Sequence, residues 1–316
     1  MKKQLSKLPF LLIVLAVLAL TSCRKQDNID DSISAEDESS VSSSLNSTTD
    51  DAANAVGEIQ ALSGKTDGLM GFCGATIDSS QKMNGIIVIT FNGNDCSGRV
   101  SRTGSITATL ENYANGTRWR DQGAVLHLAF SDVRITSIAT GAYCTLNGTH
   151  TLTNETGGLA WRVANGLDQG TVTRRHTATD FSVTYADGSQ RTWSVNRLRT
   201  FTNDGTTRTV TVSSDHTEGG VAYADAWGTN RNGASFVNAI VSPITVTSAN
   251  SQCPGNWFNR PASGEVTHSV GIRSVAVQFG VDANGDAVSN GTCPYGFEIT
   301  FTKNGHSRTK VVSYWF

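Results

Sequence analysis

Beyond Leu20 the chain has no apolar run long enough to cross a bilayer. The one run it has, Phe10 to Leu20, is 11 residues, about half of the roughly 20 that a spanning helix needs. A permanent transmembrane helix is therefore not expected. There are only five prolines in 316 residues, which argues against long irregular loops. No Lys or Arg occurs between Asp27 and Glu58, where nine acidic residues lie. No basic field suited to nucleic acid appears elsewhere either, because the chain past Ile59 is close to neutral. Neither a CxxC pair nor a Cys/His cluster with zinc-like spacing is present, and no G-x-S-x-G elbow marks a hydrolase nucleophile. No helical segments alternate with the strands described below, so βαβ units are excluded.

What the amino terminus does have is order. Lys2, Lys3 and Lys7 precede the apolar run, and Leu20-Thr21-Ser22-Cys23 follows it. A basic start, a short apolar core and small residues before a cut have the layout of a secretory signal. The last four residues resemble a bacterial lipobox, which implies removal of residues 1–22 and acylation of Cys23. Several acyl chains, at about 0.8 kcal/mol per buried methylene, make membrane residence stable. The expected partner is therefore membrane lipid, through Cys23.

Residues 24–48 are Ser, Asp, Glu and Asn with scattered Ile, Val and Leu. Such a composition buries too little to offset ordering entropy, and a flexible acidic tether over 23–58 is expected. Within it, Thr49-Asp50-Asp51 precedes Ala52, Val56, Ile59 and Leu62 at helical spacing. This predicts one short amphipathic helix on the sheet edge.

From Cys73 onward the signal is β. Ile86–Phe91 is a β-branched run flanked by Asn-Gly, and Ser105–Leu110 alternates apolar and polar residues. Similar runs recur to Tyr314, separated by turns such as Asp187-Gly188, Asn284-Gly285 and Asn304-Gly305. The 31 glycines fit many tight turns. The fold class expected is all-β: a large antiparallel sheet or sandwich of long hairpins over 59–316, sandwich preferred to barrel. Ser-, Asn-, Pro- and Gly-rich residues 247–261 offer an internal boundary.

With Cys23 acylated, five cysteines remain: Cys73, Cys96, Cys144, Cys253 and Cys293. Export favours pairing, but spacing leaves the connectivity open. The segments Ile87–Phe91, Cys96-Ser97-Gly98-Arg99, Arg102–Ile106, Gly148–Asn154 and Gly291-Thr292-Cys293 resemble a group of lipoproteins of Bacteroidota that have no assigned activity. The resemblance implies a large β domain at the outer membrane and supports the pairs Cys73–Cys96 and Cys253–Cys293. Cys144 departs from its pattern. Gln26–Asp31 resembles that phylum's signal for transfer to the cell surface, and Asp31-Ser32-Ile33 its O-glycosylation site. The periplasmic face is the other address.

Four constellations bear on chemistry, and none yields a catalytic, cofactor or metal residue. Asp282-Ala283-Asn284-Gly285-Asp286 spaces oxygen donors as a calcium loop does, but Ala287 and Cys293 stand where Gly and Glu belong, so a hairpin turn is expected. Ser213-Ser214-Asp215-His216 holds triad residue types in adjacent positions, which a strand sends to opposite faces. Asp225 and Trp227 are i and i+2 and are expected to share a face, the most suggestive acid–aromatic pair for a glycosidase. Trp119, Trp161, Trp193, Trp227, Trp257 and Trp315 offer stacking platforms but are more often core. His127, His150, His176, His216, His268 and His306 are spread singly. The function expected is a lipid-anchored, non-catalytic surface module with a glycan or protein ligand. The alternative is a polysaccharide-acting hydrolase or carbohydrate-binding module.

Overall fold

Strand-forming runs joined by tight turns produce sixteen strands among the described residues. The computed structural model describes residues 8–61, 73–96, 98–250, 253, 260–289, 291–303 and 306–314, with side chains of the long helix from residue 33 to residue 59. In chain order the strands are β1 (Ala75–Asp78), β2 (Ile86–Asn94), β3 (Val100–Leu110), β4 (Val125–Ser137), β5 (Tyr143–Asn154), β6 (Gly170–Tyr185), β7 (Gln190–Asn203) and β8 (Arg208–Ser213). There follow β9 (Thr217–Glu218), β10 (Val221–Ala222), β11 (Ala224–Thr229), β12 (Ser235–Thr247), β13 (Ser263–Val270), β14 (Arg273–Val281), β15 (Gly296–Lys303) and β16 (His306–Ser313). Helix α1 (Leu8–Ala61) precedes them, and α2 (Ala160–Ala164) lies between β5 and β6.

Fourteen strands form one antiparallel sheet in the order β1 to β7, β11, then β12 to β16. Strands β8 and β11 share one position: both lie between β7 and β12, β11 at one end and β8 at the other. There is thus one sheet rather than two facing ones. It also runs without a break across residues 247–261, because β12 pairs directly with β13. Cys73 and Cys96 lie at disulfide distance, as do Cys253 and Cys293. Cys144 is free and half-buried.

β4 is bent at a bulge between Phe130 and Val133, and β6 at one between Ala178 and Phe181. Bulges cross neighbouring ladders as a belt, at Gly104, Ser131-Asp132, Gly148 and Thr179-Asp180. Each bends its strand and adds twist. Gly104 has φ +91°, and a Cβ there would lie 2.2 Å from the Asp132 carbonyl oxygen, so only glycine fits the bend.

The bending is needed because the sheet encloses α1. Side chains of α1 reach Arg102 on β3, Arg191 and Arg199 on β7, His268 on β13 and Lys310 on β16. Laid flat, the positions from β3 to β16 would span about 50 Å at about 4.8 Å each, whereas a helix is about 10–12 Å wide. One helix meets both ends only if the sheet curls around it. From Ser34 to Ile59 no helix residue is exposed.

This differs from the flexible tether expected over 23–58 and from the short edge helix. The physical reason lies in strand parity. On β7, Arg191, Arg197 and Arg199 alternate in phase with Trp193, Val195 and Phe201, and on β6 Arg174 is in phase with Val172. These arginines therefore face inward and meet the helix carboxylates. Arg191 Nη2 lies 2.6 Å from Glu38, Arg199 Nη1 2.8 Å from Asp50 and Arg102 Nη1 2.6 Å from Asp51. Arg231 binds Asp37 at 2.5 Å. Val41, Leu45, Ala52 and Val56 fill the space beside Phe130, Phe181 and Trp193. The acidic charge of one sign that reads as a solvated tail is here neutralised by an arginine-lined interior.

Glu38 also accepts from Trp193 Nε1 at 3.0 Å, so Glu38→Ala strands a buried guanidinium and an indole N–H. The expected loss is about 3–5 kcal/mol in urea unfolding. A solvated tether residue would change stability by no more than about 0.5 kcal/mol.

Candidate functional site

Between Val41 and Thr48 most residues of α1 are serine, and their side chains are too short to fill the curl. A cavity of about 380 Å³ remains beside the helix. Ser39, Ser40, Ser42, Ser43, Ser44 and Ser47 form its helix side. The opposite wall is apolar: Val210 and Val212 of β8, Ile244 and Val246 of β12, Val266 of β13, Phe279 of β14 and Phe297 of β15. Cavities of about 300–1,000 Å³ with a mainly apolar lining and a few placed polar groups are the usual form of small-molecule sites.

Polar groups of β7, β11, β12 and β13 join Asp37, Glu38 and Asp50 of α1 in the cavity lining. Arg197 lies 2.7 Å from Asp225, which also accepts from Asn238 Nδ2 at 2.9 Å. Arg197 Nη1 donates to Ser42 Oγ at 2.5 Å. Burial raises the Asp225 carboxyl above its usual range, against the pull of Arg197. His268 Nε2 shares a hydrogen bond with Ser34 Oγ at 2.9 Å, while its Nδ1 has no partner. Burial lowers this imidazole to about 4. Burial likewise raises the Cys144 thiol, on the cavity's other flank, to about 11, which keeps it protonated and unreactive.

Deeper in the sheet lies a layer that no residue spacing required. His150 Nε2 and His176 Nδ1 are 3.3 Å apart, both buried. His150 stacks on Trp193. Burial, then Arg197 and Arg199, lowers His150 to about 3, and burial with Arg199 lowers His176 well below its ordinary value. Both imidazoles are neutral. Among the described residues no group of three His, Cys, Asp or Glu is arranged to hold a metal ion.

Asp225 and Trp227 do not share a face: a bulge between Ala224 and Ala226 turns Asp225 inward with Ala226 and leaves Trp227 stacked on His216 at 4.7 Å. In the Ser213–His216 run, Ser214 Oγ bonds Asn196 and Ala224 carbonyls and Asp215 binds Arg175. No triad forms there. Asp282 spends its carboxylate on the backbone of Asn284 and Asp286, a closed hairpin turn. His127 pairs with Glu111, and His306 is exposed at the sheet edge. Trp119 and Trp193 are core residues, Trp161 and Trp227 half-buried. Trp257 and Trp315 lie outside the described residues.

Sequence reasoning missed the serine side of α1, the inward arginines and His268. The arginines carried a readable signal, their parity with Trp193 and Phe201. The serines carried none, since their environment depends on the sheet closing around them.

Three buried neutral histidines give a stability profile with a definite sign. Their folded values lie below the unfolded value of about 6.5, so the unfolded chain binds more protons as the pH falls through that value. Stability is then lost from about pH 6.5 downward, by up to about 1.4 kcal/mol per histidine per unit, until the folded imidazoles titrate. Asp37 and Asp225, raised by burial, oppose the loss at the acid end. Urea midpoints should fall steadily between about pH 6.5 and about pH 5. A flat profile would contradict the burial of these rings. No protein-family model, no curated protein and no solved structure matches this chain, so the residues above carry the functional reading.

Proposed function

We propose that the protein is a cell-envelope lipoprotein, held at the outer membrane by acyl chains on Cys23 and displayed at the surface, whose β domain binds a small ligand without turning it over. The lipobox-like Leu20–Cys23 supports the anchor. Among the described residues no helix is long and apolar enough to cross a membrane, a statement that leaves strands aside. Because α1 runs continuously through Cys23 to Ala61, ten residue steps at about 1.5 Å each would set an acyl anchor on Cys23 about 15 Å from Ile33. The domain is then held close to the bilayer.

The observation that carries the binding reading is how the interior carboxylates are used. Asp225 is held by Arg197 and Asn238, Glu38 by Arg191 and Trp193, Asp51 by Arg102. Glycoside hydrolysis needs two acids facing each other across a cleft, about 5–9 Å apart, one of them free to donate a proton. Here each acid is spent on a structural pair, and what is left unfilled is an apolar wall opposite serines.

Metabolic labelling with palmitate and detergent phase separation test the anchor. Label and detergent-phase partition are expected for the unsubstituted protein and should both vanish in Cys23→Ser. A native product that still begins at Met1 and stays in the aqueous phase would overturn it. Protease treatment of intact cells separates surface from periplasmic display. A polysaccharide panel should release no reducing ends, and turnover abolished by Asp225→Asn would overturn the non-catalytic reading in favour of a hydrolase.

A further inference from the structure

We infer that the cavity takes a single-chain amphiphile with an anionic head group, its head at Arg199 of β7 and its chain along the apolar wall. This rests on the binding reading and names the ligand's chemistry.

The first support is a charge imbalance. Arg102, Arg191 and Arg197 each have a carboxylate of their own, Asp51, Glu38 and Asp225, and Arg231 has two, Asp37 at 2.5 Å and Asp187 at 3.6 Å. The local surplus falls on Arg174 and Arg199, which lie directly opposite each other on β6 and β7 and share Asp50, at 4.0 and 2.8 Å. Like charges in opposed register repel. Arg174 is 1% exposed, and its Nε and Nη2 have no partner. Arg199 Nε, His176 Nε2 and His150 Nδ1 are also buried without one. Buried polar atoms in a native structure are nearly all satisfied, and of these residues Arg199 lines the cavity, where a negative group would meet its Nε.

The second support is shape. From Arg199 the cavity continues along Val210, Val212, Ile244 and Val246 toward Phe279 and Phe297. Its 380 Å³ is more than twice the engineered apolar cavity of about 150 Å³ that admits benzene. A free inorganic anion would leave that wall uncovered, and a neutral chain would leave the surplus cation unmet. An acyl chain ending in a carboxylate or a phosphate meets both.

The full chain carrying Cys23→Ser, free of its own acyl groups, is titrated with dodecanoate, a single-chain lysophosphatidate, dodecanol and inorganic phosphate. One equivalent of an anionic chain is expected to bind at least about tenfold more tightly than dodecanol or phosphate, and the better of the two anionic chains identifies the head group. Arg199→Met removes the surplus charge while Arg174 remains beside Asp50. It should weaken dodecanoate at least about tenfold more than dodecanol. Equal affinity for dodecanoate and dodecanol would overturn the anionic head and leave the binding reading standing. Phosphate binding as tightly as the chains would overturn the amphiphile. Failure of every chain to bind would sink the binding reading as well. Should Arg199→Met not fold, the ligand comparison on the chain with Arg199 intact decides the matter.

Discussion

The fold depends on a charge match between an acidic helix and the concave face of a sheet. The inward side of β6 and β7 carries Arg174, Arg191, Arg197 and Arg199, none more than 5% exposed. With no acidic partner, such a face could not be desolvated, since each buried ion costs several kcal/mol. With α1 seated, most of the charge is compensated and the apolar residues between the arginines close on Val41, Leu45 and Ala52. Sheet and helix therefore form one unit, whose main core cluster draws on both.

Buried ion pairs are weak evidence for net stability, because desolvation offsets much of the attraction. Their better-attested use is to fix register, and the sequence of α1 suits that use. Glu38 faces Arg191, and Asp50 faces Arg199 twelve residues later. A slip of one helical turn would set Ser34 or Ser42 before Arg191 and Asn46 or Asn54 before Arg199. Every such slip strands two guanidinium groups. The apolar stripe could tolerate a shift of a turn, since alanines and valines recur along it, but the charges could not.

Much of the sheet was legible in the sequence, for local reasons. Asp187-Gly188 and Asn284-Gly285 do form turns with glycine at positive φ, and alternation located the strands around them. Legibility ended where a residue's meaning depended on a distant element. Ser39–Ser47 read as solvated because composition rules assume water outside the chain; here strands from β8 to β15 take water's place. Asp225 and Trp227 were assigned one face by a period of two, and a single inserted residue in the bulge broke it. The inward arginines were the opposite case, a long-range fact with a local signature. Arg197 and Arg199 alternate with Asn196, Leu198 and Thr200 in phase with Trp193 and Phe201, and charge in phase with aromatics asks for a partner of opposite sign. The acid-rich segment with no Lys or Arg is the one part of the chain able to supply it.

The same economy explains why the cavity sits where it does. Over Val41–Thr48 the helix must offer Ser42 to Arg197 and keep Val41 and Leu45 toward Phe130 and Trp193. Its remaining side there is small and polar, against Val212, Val266 and Phe297. Larger apolar residues at those serines would fill the gap and add stability by closing a void. Serine leaves an unfilled volume and a buried hydroxyl, Ser40 Oγ, with no partner. Both are costs to a fold that only had to close, and they lie beside Arg199, which shares Asp50 with Arg174. Two local violations of good packing that coincide in space, one of volume and one of charge, are more economically read as a single site than as two defects.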